Sequence, residues 1–172
     1  LTPEQMKKLN NMRPPMMGGA FPFPVKYGYS AVGRTDGGQR VFVLHPHQDM
    51  FAVPAAQCIP LPDALPTRRA VLAANMETAL NALWAAAPRR GDRIAVVGAG
   101  SLSCLTAFLA AGIKATSVTL IDRDDSRRAV AAVLGLGFAT PSGDLPGNCD
   151  LVFHASGDGA GQDTPRWSRA EL

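Results

Sequence analysis

The sequence has little cysteine, and what it has is scattered: Cys58, Cys104 and Cys149, an odd number with no CxxC pair. That spacing argues against a disulfide framework and a structural zinc cluster, and it fits a reducing, cytoplasmic compartment. Charge is sparse as well. Only 18% of the residues are charged, 17 Lys and Arg against 14 Asp and Glu, so the chain is not a disordered polyelectrolyte. No basic run exceeds two residues. Lys7-Lys8, Arg68-Arg69, Arg89-Arg90 and Arg127-Arg128 are separate doublets, which read as solvated faces and not as a nucleic-acid track. The first residues, LTPEQMKKLNN, lack the charged-then-apolar order of a secretory signal. One uncharged stretch, Ile94 to Ile113, has the twenty-residue length of a membrane span. Its order, β-branched residues followed by clustered Gly and Ser, reads instead as strand, turn and helix, so no membrane partner is expected.

Composition then divides the chain. Ten of the 14 prolines precede residue 67, and six of the 11 aromatics lie between Phe21 and Phe51, which predicts short strands and Pro-punctuated loops there. From Ala70 onward stand 21 of the 27 alanines, which favours helices. A short helix is expected at Pro3–Asn10. Strands are expected at Tyr29–Arg34, Arg40–Leu44 and Met50–Val53, the first two joined by Asp36-Gly37-Gly38. Thr67 is positioned to cap a helix from Arg68 to about Ala87, with Ala70, Val71, Ala74, Leu80, Leu83 and Trp84 as its apolar face. A strand–helix alternation follows: strand Arg93–Val97, helix Gly100–Ala111, strand Ser117–Ile121, then helix Asp125–Leu134 with Asp125 or Ser126 as cap and Gly135 as stop. Short strands are expected at Phe138-Ala139 and Leu151–Phe153. That alternation predicts an α/β fold, a parallel sheet with helices on both faces and right-handed crossovers.

The motif that carries chemistry is Val96-Val97-Gly98-Ala99-Gly100-Ser101-Leu102-Ser103, set between a strand and a helix. In a dinucleotide fingerprint Gly98 would permit the tight turn, Gly100 would let the backbone approach a pyrophosphate, and the helix amino terminus would supply free N–H groups. Ser103 stands where the third glycine belongs. Asp122 closes the second strand 22 residues beyond Gly100, near the spacing at which an acid meets the adenosine ribose. Two other readings stay open: Asp122 as a turn residue capping the next helix, and an S-adenosylmethionine-dependent methyltransferase. The second usually carries an acid just before the first glycine, where this chain has Val96 and Val97.

Four blocks extend the motif: Pro24-Val25-Lys26-Tyr27-Gly28-Tyr29-Ser30-Ala31-Val32-Gly33, Gln39-Arg40-Val41-Phe42-Val43, Met76-Glu77-Thr78-Ala79-Leu80-Asn81-Ala82-Leu83, and Gly91-Asp92-Arg93-Ile94-Ala95-Val96-Val97-Gly98-Ala99-Gly100. In order and spacing, from about Phe21 to Gly157, they resemble the medium-chain dehydrogenases/reductases, the alcohol-dehydrogenase-like superfamily. The resemblance implies a GroES-like catalytic segment at 21–66, a connecting helix at 67–90 and an incomplete Rossmann domain at 91–172, after a polar lead-in at 1–20. It implies an NAD(P)-linked oxidoreductase, with NAD preferred to NADP and a small-molecule substrate. Gly98, Gly100, Ser103 and Asp122 would hold the cofactor, with Thr78 near the nicotinamide and Arg127 near the adenosine ribose.

The departures from that pattern imply a zinc-free member. Where zinc-dependent relatives carry Gly-His-Glu this chain has Gly28-Tyr29-Ser30, Ala74 occupies another expected ligand position, and no four-cysteine lobe follows Val41–Val43. Candidate proton donors are Tyr29 and His47; Tyr29 also reads as a structural tyrosine, and His45 and His47 as polar loop residues. His45 and His47, two apart on an extended chain, leave open an unrelated metal site with Asp49 or His154. Cys104 and Cys149 read as inert near-core thiols. The resemblance also implies truncation at both ends, with the adenosine-binding half present and the nicotinamide half not. A non-catalytic nucleotide-binding fragment is therefore the alternative function, and the edge beside Leu151–Phe153 is expected to drive self-association into homo-oligomers.

Overall fold

The computed structural model describes residues 27–156; the helix expected at Pro3–Asn10 and the tail from residue 157 lie outside them. The described residues separate into two compact units, divided between Val71 and Leu72.

In the first unit, strands β1 (Ala31–Arg34), β2 (Arg40–Val43) and β3 (Ile59–Pro60) form an antiparallel sheet in that order. The Asp36-Gly37-Gly38 turn forms as its composition requires. Thr35 and Gln39 pair through Thr35 N–H to the Gln39 carbonyl at 3.0 Å, and the Arg34 guanidinium donates to the Gly38 carbonyl at 2.8 Å. Val41 and Val43 are buried on one side of β2. Arg40 ties the following loop to the sheet. Its guanidinium donates to the carbonyls of Leu65, Pro62 and Asp63 at 2.7, 2.8 and 3.1 Å, and to the Thr67 hydroxyl at 3.2 Å.

The strand expected at Met50–Val53 is absent, and the third strand is β3 instead. Pro54 ends the apolar run after four residues, and Phe51 stacks on the His45 ring at 3.9 Å, while Met50 is 90% exposed. The single helix expected over Arg68–Ala87 is two: α1 (Thr67–Ala70) and α2 (Ala73–Ala86). Thr67 is inside α1, not its cap; Pro66 precedes it, and no side chain caps either helix. On α2 the buried residues are Ala74, Ala79 and Leu83, whereas Trp84 is 69% exposed. Periodicity places Trp84 beside Leu80 and Leu83 on the apolar face, whereas the buried stripe of α2 runs through Ala74, Ala79 and Leu83 and leaves Trp84 outside it.

The second unit holds strands β4 (Arg93–Val97), β5 (Ser117–Ile121), β6 (Gly137–Ala139) and β7 (Leu151–His154), all parallel, in the order β6-β5-β4-β7. Between them run α3 (Ser101–Ala111), a 3-10 turn (Asp125–Arg127) and α4 (Arg128–Val133). Alternation along each strand sends Ile94, Val96, Val118, Leu120, Leu151 and Phe153 to one face. There they share a core with Leu83 of α2, Ala107 and Ala110 of α3, and Ala131 of α4. All three of these helices therefore pack on the same side. The opposite face was expected to carry a helix too. The crossover from β6 to β7 spans only residues 140–150 and contains Pro141, Gly143, Pro146 and Gly147, so it forms no helix. Asp92 and Asp150 brace the lower end of the sheet, accepting from the backbone N–H groups of Arg89 and Arg93, each at 2.7 Å.

Ala87, which closes α2 at φ 48°, and Ala115, at φ 66°, hold left-handed backbone that favours glycine. Ala87→Gly and Ala115→Gly should each raise stability by about 0.5–1 kcal/mol. Ala85→Gly, on an exposed position within α2, should lower it by about 1 kcal/mol. Urea unfolding midpoints of the three variants decide the matter; a loss of stability in all three would contradict it.

Candidate nucleotide cleft

The site is built around the turn from β4 to α3. Gly98 sits at φ 101°, and a Cβ there would lie 2.9 Å from Ser103 Oγ and 3.1 Å from the Ala155 carbonyl, so only glycine fits. Its N–H donates to the Ile121 carbonyl at 2.7 Å, which draws the turn against the end of β5. Gly100 is the residue before α3, has ordinary dihedrals, and no side chain caps the helix. A Cβ on Gly100 would meet no protein atom within 4 Å. Glycine at this position therefore keeps space open outside the helix amino terminus, where backbone N–H groups and the helix dipole favour an anion.

Asp122 meets this turn from β5. Its Oδ2 accepts from the Ala99 N–H at 2.6 Å and its Oδ1 from the Asp124 N–H at 2.9 Å. One carboxylate thus fixes both the glycine loop and the loop after β5, with lone pairs left for a ligand hydroxyl. The helix-capping role expected for Asp125 or Ser126 falls to Asp124, which accepts from the Ser126 N–H at 3.0 Å. Hydrogen bonds from Ser126, and then the charge of Arg127, hold the Asp124 carboxyl below its ordinary range. Arg127 pairs with Asp124 at 3.4 Å, both largely in solvent. Together Val97, Gly98, Gly100, Ile121, Asp122, Arg123, Asp124, Arg127, Pro141, Ala155 and Ser156 enclose an open cleft of about 380 Å³. It lies at the carboxyl ends of β4, β5 and β7, where ligands bind in open α/β sheets.

Of the sequence-derived candidates, Gly98, Gly100, Asp122 and Arg127 come together here. Ser103 lies beneath them, fully buried, its hydroxyl donating to the Ala155 carbonyl at 3.1 Å. Thr78 does not line the cleft; it is exposed on α2 and donates to the Ala74 carbonyl one turn back at 3.1 Å. Tyr29 and His47 belong to the first unit and are exposed. Gly28, at φ 84°, exists for His47: a Cβ there would overlap the imidazole. His45 turns elsewhere, stacking on Phe51 with Nδ1 2.8 Å from the Pro46 carbonyl. Among the described residues no group of three or more His, Cys, Asp and Glu is arranged to hold a metal ion. Cys104 and Cys149 are half-buried free thiols, both pushed up chiefly by burial. Sequence reasoning missed Pro141, Ala155 and Ser156. No local motif marks them, because Pro141 reaches the cleft only once β6 pairs with β5, and Ala155 and Ser156 only once β7 pairs with β4.

No family model matches the chain. Solved structures do resemble it. L-idonate 5-dehydrogenase from Escherichia coli K-12 aligns over 70% of this chain and 47% of its own, with TM-score 0.59 and 18% identity. The quinone oxidoreductase of Thermus thermophilus, known also in complex with NADPH, aligns over 66% of this chain and 39% of its own, with TM-score 0.56 and 27% identity. An alcohol dehydrogenase from Thermus sp. ATN1 aligns over 57% of this chain and 32% of its own, with TM-score 0.52 and 30% identity. The chain thus spans between about a third and a half of the length of these enzymes. Likeness to several oxidoreductases at once supports the alcohol-dehydrogenase-like superfamily.

Proposed function

We propose that the chain carries the nucleotide-holding part of a zinc-independent, NAD(P)-linked oxidoreductase that acts on a small carbonyl, alcohol or activated alkene. The observation that carries this reading is the Gly98–Gly100 turn held against Asp122 at the carboxyl end of the sheet. In it the N–H groups before α3 would face the pyrophosphate, and Asp122 would accept from the adenosine ribose hydroxyls. Bound NAD(P) would supply the hydride acceptor or donor. The β-rich residues 21–66 would form a GroES-like segment, with Tyr29 or His47 able to move a proton. Tyr29 and Ala74 at the expected ligand positions support zinc independence, and three free thiols support a cytoplasmic setting. No helix among the described residues is long and apolar enough to cross a membrane. The place of Thr78 outside the lining of the cleft favours a second reading, a nucleotide-binding unit without catalysis.

Titration of the purified chain should give tighter binding of NAD(H) than of NADP(H), by about tenfold, because the Asp122 carboxylate repels a 2′-phosphate. Asp122→Ser should narrow that ratio. It should also weaken NAD(H) itself, since the Ala99 N–H loses its acceptor. Equal affinities in the unsubstituted chain would remove Asp122 from the cofactor site, and selective binding of S-adenosylmethionine would overturn the dinucleotide reading. Cofactor-dependent turnover across alcohols, aldehydes and enones separates enzyme from binding unit.

Metal analysis after mild dialysis should return well under one zinc per chain. One tightly held zinc, lost in His45→Ala or His47→Ala, would contradict zinc independence.

A further inference from the structure

Ser103 occupies the position at which a dinucleotide motif has its third glycine, and it is fully buried. A buried hydroxyl needs a partner, and this one leaves its own helix to find it. Ser103 Oγ donates to the Ala155 carbonyl of the segment after β7, 52 residues away in sequence, at 3.1 Å. Ser103 Oγ, the Ala155 oxygen and Ser156 Cα converge on Gly98, lying 2.9, 3.1 and 3.1 Å from where its Cβ would be. The same strand end is held a second time, by Ala155 N–H to the Val97 carbonyl at 2.9 Å. Ala155 and Ser156 then form the wall of the cleft across from Asp122.

We infer that Ser103 is a positioning residue: its hydroxyl clasps the first turn of α3 to the end of β7 and so sets the spacing between the glycine loop and the Ala155–Ser156 wall. The inference rests on the nucleotide reading of the cleft. A glycine at 103 would bring helix and strand together by contact alone, and the serine does it with a directional bond. Ligand groups held between loop and wall depend on that bond, whereas a nucleoside held through Asp122 from β5 does not. Thr106 supplies the control. It is equally buried on α3, but its hydroxyl donates to Leu102 within the helix at 3.0 Å.

The test compares Ser103→Ala with Thr106→Ala, both read for thermal stability, for ADP and adenosine affinity by calorimetry, and for amide exchange without ligand. Ser103→Ala should weaken ADP at least fivefold and adenosine less than twofold, and should speed exchange of the Gly98 and Ala155 amides about tenfold. Thr106→Ala should lower stability and leave the ADP-to-adenosine ratio unchanged. Equal weakening of both ligands in Ser103→Ala, or unaltered exchange at Gly98 and Ala155, overturns the clasp. Failure of the unsubstituted chain to bind ADP overturns the nucleotide reading instead, and the exchange rates still decide the clasp.

Discussion

The hydrogen bond from the Gly98 N–H to the Ile121 carbonyl, 2.7 Å long, sets how closely the β4–α3 turn approaches the end of β5. Because the backbone there is left-handed and crowded, the turn has one conformation. The rest of the cleft is dimensioned from it. Asp122 can reach the Ala99 N–H only at that separation, and Ser103 can reach Ala155 only because α3 starts immediately afterwards. Three strand ends are thus gathered by backbone groups and two side chains, and the loops beyond them inherit the arrangement.

Much of this was legible in the sequence because it is local. The run Arg93–Val97 is β-branched and ends at glycine, and Ser117–Ile121 alternates; both strands have the expected bounds. Gly98, Gly100 and Asp122 follow from strand, turn and strand in register. What stayed hidden depends on distant partners or on small shifts of hydrogen bonding. Met50–Val53 has four strand-like residues, yet Phe51 stacks on the His45 ring and no strand among the described residues pairs with them. Trp84 is in solvent because the face of α2 that meets the core is the one carrying Ala79 and Leu83, which the packing decides and residue type does not. Asp124 takes the capping role from its neighbours by one position, a distinction that depends on the dihedrals around the cap and not on residue type.

Asp122 illustrates how two sequence readings can merge. Ribose ligand and turn residue read as competing roles, yet one carboxylate has lone pairs enough for both tasks. Its bonds to Ala99 and Asp124 hold the oxygens in place, which under the proposed nucleotide reading would lower the ordering cost of binding. In the first unit, Arg40 plays a comparable part by different chemistry. It gathers three carbonyls and a hydroxyl from residues 62–67 around a single guanidinium, so a loop in which proline removes two backbone donors is still held.

The order of strands in the parallel sheet has a consequence for synthesis. β4 leaves the ribosome first among them, gains β5 on one side, and then waits for β7, whose first residue lies 30 positions beyond the end of β5. At translation speeds of roughly 5–20 residues per second, that wait lasts on the order of seconds. Throughout it the apolar edge of β4 is unpaired and the Ser103 hydroxyl has no Ala155 to meet. The nascent chain therefore passes through a sticky interval, in which chaperone binding to Ile94–Val97 would compete with aggregation until the last strand arrives.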